Sequence, residues 1–306
     1  MIYNLWHRTT YSYMAEVTFA RCVLRLTPRS SGGQTVLNSF VTVTPRPSSS
    51  LRRLGPFGEE TLTVVVDTPH RTLIIEATSR VDVQAAPPGR PADSPAWEVV
   101  RDQSFEAPGL GPDDPAPYVY PTARTPLVPA ITDYARASFT PGKPIADAGA
   151  HLMKRMYGDF TFDAKATTVS TPTIEAFKAR RGVCQDFAHV MITALRGLGL
   201  PAAYVSGYLR TTPPPGRPRL AGADATHAWV SLWCGAKSGW VGFDPTNDVI
   251  VQDNHIVLAV GRDYSDVAPI DGIILAPGEQ TLKVEVDVVP EDEPAARGAE
   301  RSRRGA

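Results

Sequence analysis

Apolar and polar residues alternate with a period of two through most of the first 83 positions. Runs at 2–13, 17–26, 34–44, 60–67 and 72–83 are rich in β-branched and aromatic residues, with turn-rich pieces such as Pro28-Arg29-Ser30-Ser31-Gly32-Gly33 between them. Alternation of this kind turns one face of each strand toward a core and the other toward solvent. Residues 1–84 therefore read as an all-β domain, a sandwich or a strongly twisted sheet. Prolines at 87, 88, 112, 115 and 117 break any regular element in 85–129, which reads as a linker or a covering loop.

From about residue 130 the period becomes helical, at 131–137 and again at 145–157. A further helix opens at Cys184, sets Phe187, Val190, Met191, Ala194, Leu195 and Leu198 on one apolar side, and stops at Gly197, Gly199 and Pro201. Strands are expected at 202–209, 227–234 and 240–244, the last two forming a hairpin around Gly235-Ala236-Lys237-Ser238-Gly239. Between them 211–222 is a proline- and arginine-rich loop placed to wall a cleft. More strand-like runs follow at 256–289. Residues 130–289 thus read as a second domain, and 290–306, charged and poor in large apolar residues, as a disordered tail.

The 306-residue chain is 42% hydrophobic and 21% charged, with a formal net charge of -1. At about 150 residues per domain that length fits two domains. Such a charge gives no field to draw in nucleic acid or an anionic membrane, so neither is expected as a partner. The N-terminus lacks a basic segment followed by an apolar run, and no stretch is long and apolar enough to span a bilayer; a cytoplasmic protein is the expectation. Only Cys22, Cys184 and Cys234 occur, far apart and without a Cys-x-x-Cys pair, which argues against a disulfide framework or structural zinc. Cys22 and Cys234 lie in alternating runs and read as small buried hydrophobes.

Cys184 is different. In Arg181-Gly182-Val183-Cys184-Gln185-Asp186-Phe187-Ala188-His189 it stands where a loop turns into a helix. Amide groups of a first helical turn have no intrahelical partner and the helix dipole is positive there, so a thiolate is favoured. His227 and Asp244 lie downstream, each at the end of its strand farthest from the hairpin turn, so antiparallel pairing brings them together. If the start of the helix meets that end of the sheet, Cys184 attacks a carbonyl, His227 moves the proton and Asp244 orients His227. An aspartate before proline is also a turn former, so Asp244 has a second reading as a cap for the backbone near Asn247. Asp186 and His189 read as structural. The Cys184 backbone N–H is the natural oxyanion donor, with the Gln185 side chain, or a tyrosine or backbone donor within 157–162, as candidates for the second. Trp229 and Tyr208 are candidate substrate-binding residues. Trp229, Trp233 and Trp240 either wall a groove or fill core.

These residues resemble the bacterial transglutaminase-like proteins with a β-rich N-terminal domain, a branch of the papain-like thiol enzymes. The resemblance is carried by Gly182-Val183-Cys184-Gln185-Asp186-Phe187-Ala188-His189, Tyr204-Val205-Ser206-Gly207-Tyr208-Leu209, His227-Ala228-Trp229-Val230, Gly242-Phe243-Asp244-Pro245-Thr246-Asn247 and His255-Ile256-Val257-Leu258-Ala259-Val260-Gly261-Arg262-Asp263-Tyr264. Leu24-Arg25-Leu26-Thr27-Pro28-Arg29 is similar to the family's first-domain pattern, so the likeness spans nearly the whole chain. It implies an α+β fold, a papain-like catalytic core with an N-terminal all-β domain. It also implies Cys184, His227 and Asp244 as catalytic residues and a thioester formed from a peptide or protein amide. With water as acceptor the enzyme is a cysteine peptidase or amidase, the primary expectation. With a lysine amine it is a protein-glutamine gamma-glutamyltransferase, and a non-catalytic peptide-binding module is a third reading that the intact triad argues against. Thr226 stands where the family often has serine, and Phe57-Gly58-Glu59-Glu60 where an asparagine commonly follows Phe-Gly; neither touches the triad. No Asp-rich calcium loop is present, so no metal or other cofactor is expected.

Overall fold

The computed structural model describes residues 1–84, 94–106, 109–211, 225–275 and 278–293. Period-two patterning builds its first part from β1 (Ile2–Val17), β2 (Phe19–Leu24), β3 (Gln34–Thr44), β4 (Ser49–Leu54), β5 (Glu60–Val66) and β6 (His70–Val83). Strands β2 and β5 bury alternate residues, as do long stretches of β1 and β6, and their inner faces meet in a core that includes Val17, Cys22, Leu24, Val64, Val66, Leu73 and Ile75. Strand β4 is missing from the sequence expectation for a simple reason. All six of its residues are exposed at a sheet edge, so no buried face left a pattern to read.

The two sheets run in the orders β15-β1-β6-β3 and β14-β2-β5-β4, and β14 (Ile270–Leu275) and β15 (Gln280–Pro290) come from the far end of the chain. Strand β15 pairs with β1 from Tyr3↔Pro290 to Tyr13↔Gln280, and β14 pairs with β2. The expectation of one continuous second domain over 130–289 is therefore corrected: its last two strands complete the N-terminal sandwich. Alternation reports that a strand has one buried face and not which strand lies beside it. The expected tail is described only as far as Glu293, and 294–306 fall outside the described residues, as does most of the expected loop at 211–222.

The inserted part contains α1 (Trp97–Glu106), α2 (Pro129–Arg136), α3 (Ile145–Asp159), β7 (Thr161–Phe162), α4 (Thr173–Ala179), β8 (Arg181–Gly182), α5 (Cys184–Gly197), β9 (Ala202–Leu209), β10 (Ala225–Trp233), β11 (Trp240–Asp244), β12 (Val249–Ile250), β13 (His255–Gly261) and the short α6 (Tyr264–Val267). Five of these strands form an antiparallel sheet in the order β12-β11-β10-β9-β13. The apolar side of α5 packs with α2, α3 and the Ala228, Val230 and Leu232 face of β10. Helix α1 lies where a linker or covering loop was expected, with Val100 wholly buried in that core. It is short and bounded by prolines, so its period was not readable. Among the described residues no helix is long and apolar enough to cross a membrane.

The other face of the sheet meets the sandwich. Tyr3, Leu5, Val81, Val83, Val286 and Val288 form one apolar cluster with Tyr208, Ile256 and Leu258. At its margin the Tyr208 hydroxyl and Nδ1 of His7 share a hydrogen bond at 2.8 Å, and His7 Nε2 faces Thr9 Oγ1 at 2.8 Å. Burial lowers the His7 pKa to about 4. Burial likewise lowers that of His189, opposed by Asp263 and helped by Arg124 and Arg196, to about 4. Both imidazoles are neutral in the fold, so as the pH falls below 6.5 the unfolded chain takes up protons that the folded chain refuses. The linked loss of stability grows from pH 6.5 down to about 4 and reaches roughly 3 kcal/mol for each histidine. Urea midpoints measured between pH 7 and 4 are expected to fall steeply in this window, and His7→Gln, which keeps polar contacts without a titrating ring, is expected to flatten the fall.

Candidate active site

Three local devices place Cys184. The first is the carboxylate of Asp186, which reaches back to accept the Val183 N–H at 2.8 Å and the Thr167 hydroxyl at 2.6 Å. A Cβ on Gly182 would stand 2.5 Å from that carboxylate oxygen, so the glycine is what allows the carboxylate to close on the turn. The second is the parallel pairing of β7 with β8, continued by Asp163 N–H to Gly182 O at 2.9 Å. The third is Arg180, left-handed at φ 53°, whose guanidinium lies over the rings of Tyr134, Phe160 and Phe177 at 4.7, 4.6 and 4.2 Å. Cys184 emerges from this frame as the first residue of α5, half-buried.

Hairpin β10–β11 supplies the other two residues. Val230↔Phe243 through Trp233↔Trp240 set its register, and just beyond the paired rows His227 Nε2 meets Asp244 Oδ2 at 2.8 Å. Burial of His227 acts to lower its pKa, but hydrogen bonds to Asp244 and Cys184 and the charges of both outweigh it and raise the value to about 9. Since Nε2 is committed to Asp244, Nδ1 is the nitrogen left for the thiol. Asp244 is completely buried, which would raise its pKa, yet hydrogen bonds from His227 and His255, the His227 charge and Asn247 hold it well below the usual carboxylate range.

Asp244 makes contacts on both sides. It pairs with His227, and it caps its own turn by accepting Thr246 N–H on Oδ1 at 3.0 Å and Asn247 Nδ2–H on Oδ2 at 2.7 Å. A second histidine joins the same oxygen: His255 Nε2 donates to Oδ2 at 3.2 Å while its Nδ1 faces the Asn254 amide at 2.7 Å. Sequence reasoning passed over His255 as a site residue. Its only signal was its place in the last family-like segment, and nothing along the chain says that the start of β13 comes within reach of Asp244. His227, Asp244 and His255 are close enough to hold a metal ion by spacing alone. Their geometry is that of hydrogen bonding, because the two imidazole nitrogens and the Asn247 amide already fill Oδ2 of Asp244.

The remaining site candidates are placed differently. Trp229 and Tyr208, expected as substrate-binding, are 2% and 1% exposed. Tyr208 is a strut to His7, and Trp229 stacks beside His227 at 6.1 Å and meets the edge of His255 at 5.1 Å. Each lies behind the site, because alternation along a strand puts a side chain on one face without saying whether another layer covers that face. Trp229 needs Gly207, where a Cβ would lie 2.1 Å from the Ile256 carbonyl oxygen and 2.5 Å from the indole. Gly207→Ala is accordingly expected to displace Trp229 and with it both histidines, leaving less than a tenth of wild-type activity; near-normal turnover in the purified variant would refute this. Trp240 donates its ring N–H to the Asp113 carbonyl at 2.8 Å, and Trp233 packs against the core. The Gln185 amide donates to Val169 O at 3.3 Å, and His189 accepts Tyr264 N–H at 3.2 Å beneath the helix.

A helix that begins at a cysteine, packed on an antiparallel sheet that brings up a histidine and a carboxylate, defines the papain-like, transglutaminase-like class of fold. Residues 132–245 match the model of the transglutaminase-like superfamily, and residues 3–82 match that of the bacterial transglutaminase-like N-terminal region. The chain belongs to the bacterial transglutaminase-like proteins. It is 41% identical over 295 residues to an uncharacterized protein of Mycobacterium tuberculosis, covering 94% of this chain and 92% of that one. The crystal structure of a provisionally assigned cysteine protease from Cytophaga hutchinsonii superposes with a TM-score of 0.70 at 20% identity over 96% of this chain and 92% of the other, a shared fold. A more partial relative is a protein-glutamine gamma-glutamyltransferase of Pseudomonas aeruginosa, 29% identical over 157 residues that make up 49% of this chain and 23% of that protein.

Proposed function

We propose that this protein is a thiol amidohydrolase acting on peptide or glutamine-type amides through a thioester on Cys184. The observation that carries the reading is His227, hydrogen-bonded on one side to a fully buried Asp244 and coupled on the other to a cysteine at the first position of a helix. In the proposed reaction Cys184 Sγ attacks the amide carbonyl carbon, and the negative charge formed on oxygen is met by the Cys184 backbone N–H, which has no partner within the helix. Protonated His227 gives its proton to the leaving nitrogen, the C–N bond breaks, and a thioester remains. Neutral His227 then takes a proton from the acceptor as it adds to the thioester, and the C–S bond breaks to return the Cys184 thiolate beside the protonated His227. Asp244 keeps the ring oriented and favours its charged form.

Cys184 is only half-buried, so water has access to the thioester, and hydrolysis needs no further binding site. A second reading, transfer to a primary amine, is favoured by the partial likeness to the Pseudomonas transferase. Mass spectrometry of glutamine-containing peptides incubated with the wild-type protein or Cys184→Ala, with and without a primary amine, tests both. Cleavage or deamidation that depends on Cys184 and not on the amine is the expected result. Adducts formed only with the amine would replace hydrolysis by transfer, and turnover that survives Cys184→Ala would end the thiol mechanism.

A further inference from the structure

The sandwich and the site are joined by a chain of contacts that the proposed reaction does not yet use. Gln34, at the start of β3 and 6% exposed, pairs with the backbone of Val257 in both directions: its Nε2–H donates to Val257 O at 2.8 Å and its Oε1 accepts Val257 N–H at 2.8 Å. Its amide also donates to Arg29 O at 2.7 Å, so both ends are committed. Two residues before Val257 stands His255, which donates to the Asp244 oxygen that also receives His227. Gln34, Trp229, His255 and Val257 all line a cavity of about 530 Å³ between the sandwich and the sheet, so His255 sits on the seam of the two parts.

We propose that the N-terminal β domain positions the catalytic histidine through His255: Gln34 fixes β13, β13 presents His255, and His255 shares the Asp244 oxygen that holds His227. The proposal rests on the reading of Cys184, His227 and Asp244 given above, and makes His255 and Gln34 positioning residues. An oxygen that accepts from two imidazoles and an amide gives each donor a smaller part of its charge than an oxygen with one donor fewer. His255 thereby limits how strongly Asp244 stabilises the His227 cation, and keeps that cation acidic enough to protonate a leaving nitrogen. The groups that face His227 are Cys184 from α5, Asp244 from β11, Asn247 from the following turn, His255 from β13 and Trp229 on its own strand. Of these, Cys184, Asp244 and His255 can change charge.

Alkylation of Cys184 by iodoacetate, followed against pH, tests this without knowledge of a substrate. Cys22 and Cys234 are 2% and 0% exposed, and burial pushes their thiols up to about 11 and about 12, so the reaction reports Cys184. The wild-type rate is expected to be bell-shaped, because the anionic reagent needs a thiolate beside a charged His227, with an alkaline limb near the His227 value of about 9. In His255→Leu that limb is expected to move up by about one pH unit, the scale of one hydrogen bond to a charged group. His255→Gln, which retains an N–H donor, is expected to restore the wild-type limb. Gln34→Leu, distant from the thiol, is expected to move it upward by a smaller amount. A limb that stays in place, or moves down, in His255→Leu or Gln34→Leu overturns the proposal. A wild-type profile that rises like a simple thiol and has no alkaline limb would instead remove the triad reading beneath it.

Discussion

His227→Gln is expected to slow formation of the Cys184 thioester by about 10³–10⁴-fold with little change in substrate affinity. The wild-type ring combines two properties: it is held by Asp244 at 2.8 Å, and it carries a proton readily near neutral pH because its pKa is raised to about 9. Glutamine preserves the size of the side chain and an amide donor for Asp244, so the fold and the buried carboxylate remain served. It cannot take up or release a proton. The leaving nitrogen would then depart without an acid, and the thiol would lose the cation that favours its ionised form. Single-turnover acylation with a p-nitroanilide or amide substrate, compared with circular dichroism of the same preparation, measures the effect. A fall of less than tenfold in a folded variant would mean that the proton travels by a route that avoids His227.

Arg196→Met is expected to lower the free energy of unfolding by about 3–5 kcal/mol. Arg196 is 3% exposed near the end of α5, and burial pulls its pKa down to about 10 despite nearby Asp263. Its guanidinium donates to Tyr118 O at 2.9 Å, Thr125 Oγ1 at 2.7 Å, Ala202 O at 2.8 Å and Arg262 O at 2.7 Å. One side chain therefore ties the segment before α2, the first residue of β9 and the entry to α6 onto the helix that begins at Cys184. Methionine matches the apolar stem but leaves four acceptors without their donor in a dry interior. Arg196→Lys is expected to recover only part of the loss, since an ammonium is a point and the four acceptors surround a plane. Urea unfolding monitored by tryptophan fluorescence decides the matter, and a change under about 1 kcal/mol would mean that water replaces the guanidinium at little cost.

Much of the site could be read along the chain because its parts are local. The turn at Gly182, the thiol at the start of an apolar-striped helix and the hairpin from His227 to Asp244 each occupy a few consecutive residues, and their contacts follow from helix and hairpin geometry. The two sets of contacts at Asp244, to His227 and to its own turn, were legible in the same way, as an aspartate before proline at the end of a strand. His255 was not, since it reaches Asp244 only through the register of β13 on β9, which pairs Ile256 with Tyr208. Tyr208 and Trp229 went to the wrong place for a related reason: aromatic residues on a strand face look alike whether that face borders a cleft or another domain.

Periodicity and local chemistry thus picked out Cys184, His227 and Asp244 and most of the strands, because hydrophobic patterning and turn chemistry act over fewer than about ten residues. The tertiary structure decided what sequence-distant segments do to one another. It returned the chain's last strands to β1 and β2, set the sandwich against the back of the sheet, and gathered Asn247 and His255 around one buried oxygen. Those outcomes depend on which exposed edges and apolar faces find each other once the chain has collapsed, and a pattern read from neighbouring residues contains no term for that choice.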